Sequence, residues 1–240
     1  MEKIAETIQW EASTGMQILR ALDVVVSLVT IVITLPVMAV IALIVKIDSP
    51  GPAIFRQTRI GMDRRNGNSS TANAEQPFQN RRSDDQGGKP FTFFKFRTMY
   101  IDAKERFPEL YEYEYTPQEI KKLQFKIPDD PRLTPFGARL RKTTLDELPN
   151  LINVIKGDMN LVGPRPDIPE MVKYYEEWQK KKFTVKPGVT GLAQVNGRNL
   201  LTFQETLRRD IEYVENRGFW LDVKILLKTI KATLFRIGAF

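Results

Sequence analysis

The chain has 240 residues, enough for one substantial domain with a membrane element, and its 42% hydrophobic and 27% charged residues are typical of a folded protein. It contains no Cys and no His, which excludes disulfide scaffolds, thiolate nucleophiles, Fe–S clusters, Cys-ligated zinc, hydrolase triads and His-ligated metals. The 36 Lys and Arg against 29 Asp and Glu give a net charge of +7, which points to a polyanionic partner: nucleic acid, anionic lipid or a phosphorylated substrate.

The N-terminal part carries one segment of membrane-scale hydrophobicity. After an acidic leader at residues 1–19, residues 24–45 are uncharged and nearly all Val, Ile, Leu, Ala or Met. Pro36 divides this segment into two pieces, and neither reaches the ~20 residues that a helix needs to cross a bilayer. We therefore predict a re-entrant hairpin over residues 20–48, in which one helix breaks at Pro36 and a second returns to the same face. A kinked spanning helix and a buried core helix are the alternatives, in that order.

Residues 49–240 are predicted to form one cytoplasmic domain, because basic residues follow the apolar segment and such residues stay on the cytoplasmic side. Residues 66–90 are rich in Asn, Gln, Ser, Gly and Asp, which predicts a flexible polar insertion. Hydrophobic and turn patterns predict a helix-rich α/β fold with amphipathic helices at the membrane interface. The predicted strands are Ala53–Gln57 and Phe91–Phe96, and the predicted helices are Thr116–Phe125, Thr144–Gly157, Pro169–Lys182, Leu201–Tyr213 and Trp220–Ile237.

Two of these helices carry signals of their own. Thr144 and Glu147 have the spacing of a capping box at a helix start, and Pro149 predicts that this helix begins later or bends. The segment Trp220–Ile237 combines lysines with Leu, Ile and Phe. This composition fits a helix on an anionic membrane surface and a terminal helix packed on the core equally well.

Asp146 and Glu147 form the most suggestive pair of side chains. They are predicted at a helix start, where the positive field of the first turn favours ionised carboxylates. An ionised aspartate can attack a phosphoryl group, and a neighbouring carboxylate can hold Mg²⁺, which draws charge off a phosphate. Acidic residues are also routine helix caps, so the pair alone favours a structural role.

Cationic residues on strands and loops are candidate phosphate ligands. Lys95 and Arg97 flank a phenylalanine at a strand end, so both are predicted to face one polar pocket. Arg165 stands between two prolines, which would fix its guanidinium for bidentate phosphate binding. Arg141 and Arg198 complete the set. For each cation alone, a solvated face or a plain turn is the competing interpretation.

Read in order, a series of motifs resembles the bacterial sugar transferases of the polyprenol-phosphate phosphoglycosyl transferase superfamily that have a single membrane element. The series runs from about Arg20 to Asp222, and its specificity comes from the order of all motifs, since none is specific alone. The motifs are Ser49–Pro52 with Gln57, Arg59 and Gly61; Lys95–Met99; Asp130–Arg132 with Gly137 and Arg141; Leu145–Pro149; Asn153–Met159; Leu161–Pro166; and Pro187–Gly191 with Gln194–Asn199.

The resemblance implies transfer of a sugar 1-phosphate from a UDP-sugar to undecaprenyl phosphate, with release of UMP, at the cytoplasmic face of the bacterial inner membrane. This reaction is the first membrane step of glycoconjugate assembly. The resemblance also implies that the apolar helix is re-entrant and broken at its proline. On the matching positions, Asp146 would be the nucleophile that forms a phospho-sugar intermediate and Glu147 would help to hold Mg²⁺; Lys95, Arg141 and Arg165 would contact phosphates, with Arg198 as a further candidate.

A non-enzymatic basic scaffold that recruits glycan-assembly enzymes through anionic lipids is the alternative. It accounts for the net charge and the apolar segment, but not for a carboxylate pair in motifs that also carry Lys95, Arg141 and Arg165. Nucleic acid is not expected as a partner, because the cations follow no recognisable nucleic-acid-binding motif. The sugar, the glycan pathway and the oligomeric state stay open, with a homodimer as one option.

Overall fold

The computed structural model describes residues 2–63, 87–124, 127–197 and 200–234. The predicted insertion at residues 66–90 therefore lies largely outside the described residues. The helices are α1 (Glu2–Asp48), α2 (Ala103–Arg106), α3 (Pro117–Lys122), α4 (Pro135–Thr143), α5 (Asn150–Lys156), α6 (Pro169–Val172), α7 (Leu192–Val195), α8 (Phe203–Asn216) and α9 (Phe219–Leu234), and the strands are β1 (Ile54–Ile60), β2 (Pro90–Phe96), β3 (Asn160–Val162) and β4 (Gly188–Thr190). Three 3₁₀ segments, at Pro108–Tyr111, Leu145–Glu147 and Glu177–Thr184, complete the described elements. The predicted helix-rich α/β composition is confirmed.

Helix α1 runs without interruption through Pro36, so the two-helix division predicted at this residue is not observed. Its stretch Gln17–Asp48 is long and apolar enough to cross a membrane, judged by length and composition. A proline removes one backbone hydrogen-bond donor from a helix, but the neighbouring turns keep their backbone donors. The Thr34 hydroxyl also donates a hydrogen bond to the Thr30 carbonyl at 2.7 Å. The structure thus shows a long apolar N-terminal helix and does not confirm the re-entrant hairpin.

Both ends of this apolar stretch are fixed to the same domain. Near its start, Arg20 donates to the carbonyls of Ile155 and Met159, both at 3.3 Å, and Asp23 accepts from the amide of Leu161 at 3.3 Å. At its end, Asp48 accepts from the Phe136 amide at 3.2 Å. Between the two ends, one side of α1 is buried in the domain at Ser27, Ile41 and Val45. The other side exposes a continuous apolar surface that includes Val25, Val29, Val32, Ile33, Val40 and Leu43.

Two small sheets position the residues discussed below. Strands β1 and β2 pair in antiparallel fashion, with Phe55 opposite Lys95 and Arg59 opposite Phe91. Because alternate residues of a strand share a face, Arg59 and Lys95 lie on the same face of this sheet. Strands β3 and β4 pair in parallel, with Val162 opposite Thr190.

Buried apolar residues form three clusters, each of which joins distant elements. The first contains Met171, Phe203 and Leu207, and the second contains Phe93, Val154, Met159 and Ile225. The third packs Ile41 and Val45 of α1 against Phe96 and Leu140. Burial of these side chains contributes about 1.5–3 kcal/mol each, so α1 is part of the folded unit and not a detached anchor.

Two predicted helical features differ in the structure. The helix predicted over Pro169–Lys182 is split into α6 and the 3₁₀ segment Glu177–Thr184, because a capping box between Glu176 and Gln179 starts a new turn. The capping box predicted at Thr144 is absent: this residue is left-handed, with φ of 60°, and its hydroxyl donates to the Thr143 carbonyl. Regular capping boxes form instead at Thr116 and Thr202.

Helix α9 packs one side on the domain and exposes apolar residues on the other side. Ile225 is buried in the second cluster, and the Thr229 and Thr190 hydroxyls are 2.7 Å apart, so one side packs on the domain. Trp220 is 80% exposed and Leu227 63% exposed on the outside. The exposed apolar surface, with neighbouring lysines, is typical of a helix at a membrane interface.

Candidate active site

Asp146 lies in a sharp turn between two helices. Helix α4 ends at Thr143, the left-handed Thr144 reverses the chain, and a single 3₁₀ turn carries Asp146 and Glu147 before α5. The side chain of Asp146 is nearly enclosed, with the residue only 7% exposed. An ionisable group in such a position needs charged neighbours, since an isolated buried carboxylate is strongly disfavoured.

Arg165 meets Glu147 directly. One guanidinium nitrogen lies 2.7 Å from Glu147 Oε1. Arg165 stands in the loop after β3, and this loop is held by hydrogen bonds from Gly163 N to the Thr190 carbonyl and from Gly188 N to the Pro164 carbonyl, both at 2.9 Å. A side chain at Gly163 would meet backbone atoms at 2.6–2.8 Å, so only glycine allows this close approach. The flanking prolines and this packing fix Arg165 against the carboxylate pair.

Lys95 and Arg59 enter the same region from the sheet β1–β2. Arg59 donates to Gln57 Oε1 at 2.8 Å and to the Pro166 carbonyl at 3.1 Å, and its guanidinium lies 5.4 Å from the centre of the Phe93 ring. Arg59 was not predicted as a site residue. The predicted strand ended at Gln57, whereas β1 continues to Ile60, and the period-two spacing of Gln57 and Arg59 places both side chains on one face of β1.

Arg141 completes the cationic side of the site from α4. Its Nε donates to the Thr98 hydroxyl at 3.0 Å. Next to it, Arg132 and Asp130 form a buried bidentate pair with two contacts of 2.8 Å. The site contains more cations than carboxylates: four cationic side chains, Lys95, Arg59, Arg141 and Arg165, lie around Asp146 and Glu147. The site therefore has excess positive charge.

The pKa values of the central groups reflect this crowding. Burial, followed by repulsion from Glu147, raises the pKa of Asp146 to about 6, although Lys95, Arg141 and Arg165 oppose the change. Burial, followed by repulsion from Arg141 and Arg59, lowers the pKa of Lys95 to about 7. The Glu147 carboxylate raises the pKa of Arg165. Strongly shifted groups around one buried carboxylate are typical of active sites.

The structure places Arg97 elsewhere, which corrects its predicted role. The residue is 4% exposed and donates to the carbonyls of Val45 at 3.2 Å and Ser49 at 2.6 Å, at the end of α1. Strand β2 ends at Phe96, so the alternation that was expected to align Arg97 with Lys95 stops one residue too early. Arg97 therefore satisfies the C-terminal carbonyls of α1. Arg198, the other predicted phosphate ligand, lies outside the described residues.

A buried ionic network supports the Arg165 loop from the interior. Lys182, 3% exposed, lies 2.8 Å from Asp210 Oδ2 and also contacts Asp167, which accepts a hydrogen bond from Tyr175 as well. The carbonyl of Asp167 accepts from the amide of Ile60 at 2.9 Å. Because Asp167 follows Arg165 by two residues, the network fixes the loop that carries Arg165 to the end of β1.

An apolar groove opens beside the carboxylate pair. It has a volume of about 400 Å³ and lies between α1 and α4. The α4 side is a stripe of one helix face, formed by Phe136, Arg139, Leu140 and Thr143. Leu145, which precedes Asp146 in the chain, also lines the groove. The α1 side is formed by Pro36, Val37, Val40 and Ile41.

Comparison with known proteins identifies the family of the chain. The family model described as bacterial sugar transferase matches residues 15–69 and 70–236. This chain belongs to the bacterial sugar transferase family.

Several relatives of this chain have stated activities. A galactosyl transferase, CpsE, of Streptococcus agalactiae is 38% identical over 79% of this chain and 36% of its own length. An undecaprenyl-phosphate galactose phosphotransferase of Salmonella typhimurium is 36% identical over 92% of this chain and 41% of its own length. A UDP-glucose:undecaprenyl-phosphate glucose-1-phosphate transferase of Caulobacter vibrioides is 33% identical over 92% of this chain and 71% of its own length. The chain thus spans less than half of the first two relatives.

Asp146 and Glu147 are the residues of the site that could hold a magnesium ion. Within the described ranges, no group of three or more Asp, Glu, Cys or His residues forms a complete metal cage. Mg²⁺ is commonly bound by one or two carboxylates together with substrate phosphates, and the adjacent Asp146 and Glu147 provide such carboxylates. Glu147 would hold the ion on the protein side.

Proposed function

We propose that the protein transfers a sugar 1-phosphate from a UDP-sugar to undecaprenyl phosphate, releases UMP and thereby initiates glycoconjugate assembly. The observation that carries this proposal is the buried Asp146 carboxylate, which lies beside Glu147 and is surrounded by Lys95, Arg141 and Arg165. A carboxylate nucleophile with cations needs neither His nor Cys, and the chain has neither. The names of the relatives support the same class of donor and acceptor.

The reaction would proceed in two displacements at one phosphorus atom. An oxygen of Asp146 attacks the phosphorus that carries the sugar, the bond to the oxygen that bridges the two phosphates breaks, and UMP leaves with the electron pair. In the second step, a phosphate oxygen of undecaprenyl phosphate attacks the same phosphorus. The bond between aspartate and phosphorus then breaks, which forms the lipid-linked diphosphate sugar and returns Asp146 as a carboxylate.

The charged neighbours of Asp146 have distinct tasks in this scheme. Lys95, Arg141 and Arg165 would bind the diphosphate and stabilise the charge on the transferred group. Arg165 would also orient Glu147, which it contacts at 2.7 Å. Mg²⁺ bound through Glu147 would draw further charge from the donor phosphates.

The apolar groove beside Leu145 supports a lipid acceptor. A polyprenyl chain is apolar and would fill the groove between α1 and α4, while its phosphate would reach the cations next to Asp146. Arg139 lines the groove and is exposed, so it would meet the anionic headgroup region.

The experiment that tests this function is nucleotide release from a panel of UDP-sugars by detergent-solubilised protein, with undecaprenyl phosphate and with or without Mg²⁺. Magnesium-dependent UMP release from one donor is expected, and this donor would identify the sugar. Release of UDP would mean an ordinary glycosyl transfer. No nucleotide release from folded protein across the panel would favour the non-enzymatic scaffold.

We further propose that α1 lies along the cytoplasmic face of the bacterial inner membrane as one uninterrupted helix, with both of its ends on that face. From Arg20 to Asp48 a helix extends for about 42 Å, more than the ~30 Å of a hydrocarbon core, yet both residues contact the same domain. A spanning helix would place its ends on opposite sides of the membrane. The exposed apolar surfaces of α1 and α9 would then be immersed in one leaflet.

Single-cysteine labelling is expected to show both ends of α1 in the cytoplasm. The chain has no native Cys, so Gln17→Cys and Lys46→Cys report without background. In intact cells a membrane-impermeant maleimide should label neither cysteine variant. After permeabilisation it should label both variants. Ile101→Cys, at an exposed position of the domain, is the control and should show the same pattern. Labelling of Gln17→Cys in intact cells would establish a spanning helix.

The rate is expected to depend on pH through two groups. Below about 6, protonation removes the Asp146 nucleophile, and above about 7, Lys95 loses the charge that binds phosphate. In kcat/KM for the donor, Lys95→Arg should move the alkaline limb upward by at least ~1 pH unit, because arginine stays protonated. The surface control Lys181→Arg should leave both limbs in place. An unmoved alkaline limb in Lys95→Arg would assign that limb to another group.

A further inference from the structure

Tyr113 has a strained backbone conformation beside the candidate active site. Its φ is +49°, in the left-handed region that bulky side chains rarely adopt. The residue follows the 3₁₀ segment Pro108–Tyr111 and comes before α3. Such strain persists only where surrounding contacts enforce it, and it is frequent at ligand-binding sites.

One hydroxyl group holds this conformation from both sides. Tyr174 OH accepts a hydrogen bond from the amide of Tyr115 at 2.8 Å and donates one to the carbonyl of Tyr113 at 3.0 Å. The Tyr115 and Tyr174 rings also contact each other, with centroids 5.8 Å apart. The backbone around Tyr113 is therefore fixed before any ligand binds.

The Tyr113 ring lies at the edge of the cationic pocket. It packs edge-on against the Tyr111 ring at 6.4 Å, and Arg132 lies 5.1 Å from the centre of the Tyr111 ring. Arg59 and Arg132 both interact electrostatically with the Tyr113 hydroxyl. Arg59 also contacts Pro166, which is next to Arg165. The pair of rings, Tyr111 and Tyr113, therefore continues the site beyond the candidate phosphate-binding residues.

Only part of Tyr113 is enclosed. The residue packs against the first apolar cluster, which includes Ile60 and Ile168, yet it stays half-buried. An aromatic ring that is supported from behind, partly open to solvent and adjacent to cations is suited to stack with a base whose phosphates bind those cations.

We propose that Tyr113 is the platform on which the nucleobase of the sugar donor stacks. The inference rests on the proposed function, because that function supplies a nucleoside diphosphate donor. Lys95, Arg141 and Arg165 would hold the diphosphate, and Tyr113 would bind the base at the outer end. Tyr113 is thus a donor-binding residue separate from the carboxylate pair.

The test compares the binding of UMP with that of ribose 5-phosphate, which lacks the base, by calorimetry on the detergent-solubilised full chain. Tyr113→Gly removes the ring and suits the left-handed backbone, and Tyr113→Asn serves if the glycine variant does not fold. Tyr113→Phe retains the ring. Asp129→Gly is the matched control, because Asp129 is an exposed residue with φ of +48°.

In Tyr113→Gly, the affinity for UMP should fall about tenfold or more, as expected for the loss of one base–aromatic stack. The affinity for ribose 5-phosphate should stay unchanged, and Tyr113→Phe and Asp129→Gly should bind UMP like the wild type. Equal UMP binding by Tyr113→Gly and the wild type, or equal losses for both ligands, would overturn the platform. Failure of both ligands to bind the wild type would instead overturn the proposed function.

Discussion

Asp146→Asn is expected to abolish sugar-phosphate transfer and to make the protein more stable. The amide has nearly the shape of the carboxylate but cannot attack phosphorus, so the rate should fall by at least ~10⁴-fold. The fold keeps its charged neighbours, and membrane association should not change. UMP release by the purified variant, measured beside the wild type, gives the loss of activity.

The gain in stability follows from the direction of the pKa change. Because the folded state raises the pKa of Asp146 from 3.8 to about 6, it binds a proton more tightly than the unfolded chain. Stability is therefore lost as the pH rises between these values, and the full penalty is present at neutral pH. Removal of the charge should recover up to about 3 kcal/mol at pH 7, seen as a higher melting temperature.

An exposed aspartate provides the control for both effects. Asp102 has a side chain that is 59% exposed and pairs only loosely with Arg106, so Asp102→Asn should change neither activity nor melting temperature appreciably. If Asp146→Asn retained turnover, Asp146 would not be the nucleophile. If it lost activity and also melted at a lower temperature, the carboxylate would be a structural element of the fold.

Arg165→Lys is expected to lower kcat/KM for the donor by about 10²-fold, the size typical for loss of one oriented donor to a transition-state oxygen. The substitution keeps the positive charge. It removes the planar guanidinium, which can bind Glu147 and a phosphate at the same time. The prolines on either side prevent the loop from moving to compensate. Steady-state kinetics with varied donor concentration measure the change.

The matched control is a surface pair of the same type and length. Arg209 and Glu212 are 2.7 Å apart and about half-exposed, and exposed pairs contribute little. Arg209→Lys should therefore leave kcat/KM unchanged. Wild-type kinetics in Arg165→Lys would show that Arg165 contributes only its positive charge and that the planar shape of its guanidinium has no role in the reaction.

Much of the candidate site was predictable because its residues stand in short motifs whose local structure is simple. Asp146 and Glu147 stand at a predicted helix start and Arg165 between two prolines, but these local signals did not by themselves assign a function. Their site roles were implied by the resemblance that the whole series of motifs carries. The structure brings both together with Lys95 and Arg141. The proximity itself depends on the packing of β2, α4 and the loop after β3, which no local pattern encodes.

The differences arise where tertiary contacts outweigh local patterns. Arg97 was predicted from strand alternation, but β2 ends before it and the open carbonyls of α1 bind its guanidinium. Thr144 has the spacing of a capping box, yet the tight reversal after α4 requires a left-handed residue there. Arg59 was named only as a topology signal and as one position in the series of motifs, because the predicted strand ended at Gln57 and β1 continues to Ile60. Its role becomes visible when β1 pairs with β2.

The most direct test of the account is the intact mass of the enzyme after incubation with its UDP-sugar and Mg²⁺ in the absence of undecaprenyl phosphate. We expect a mass increase of one sugar phosphate, located on the peptide that contains Asp146, absent in Asp146→Asn and lost when undecaprenyl phosphate is added. UMP release and product formation with no modified enzyme at any time would contradict a covalent intermediate on Asp146 and would require direct transfer between donor and acceptor.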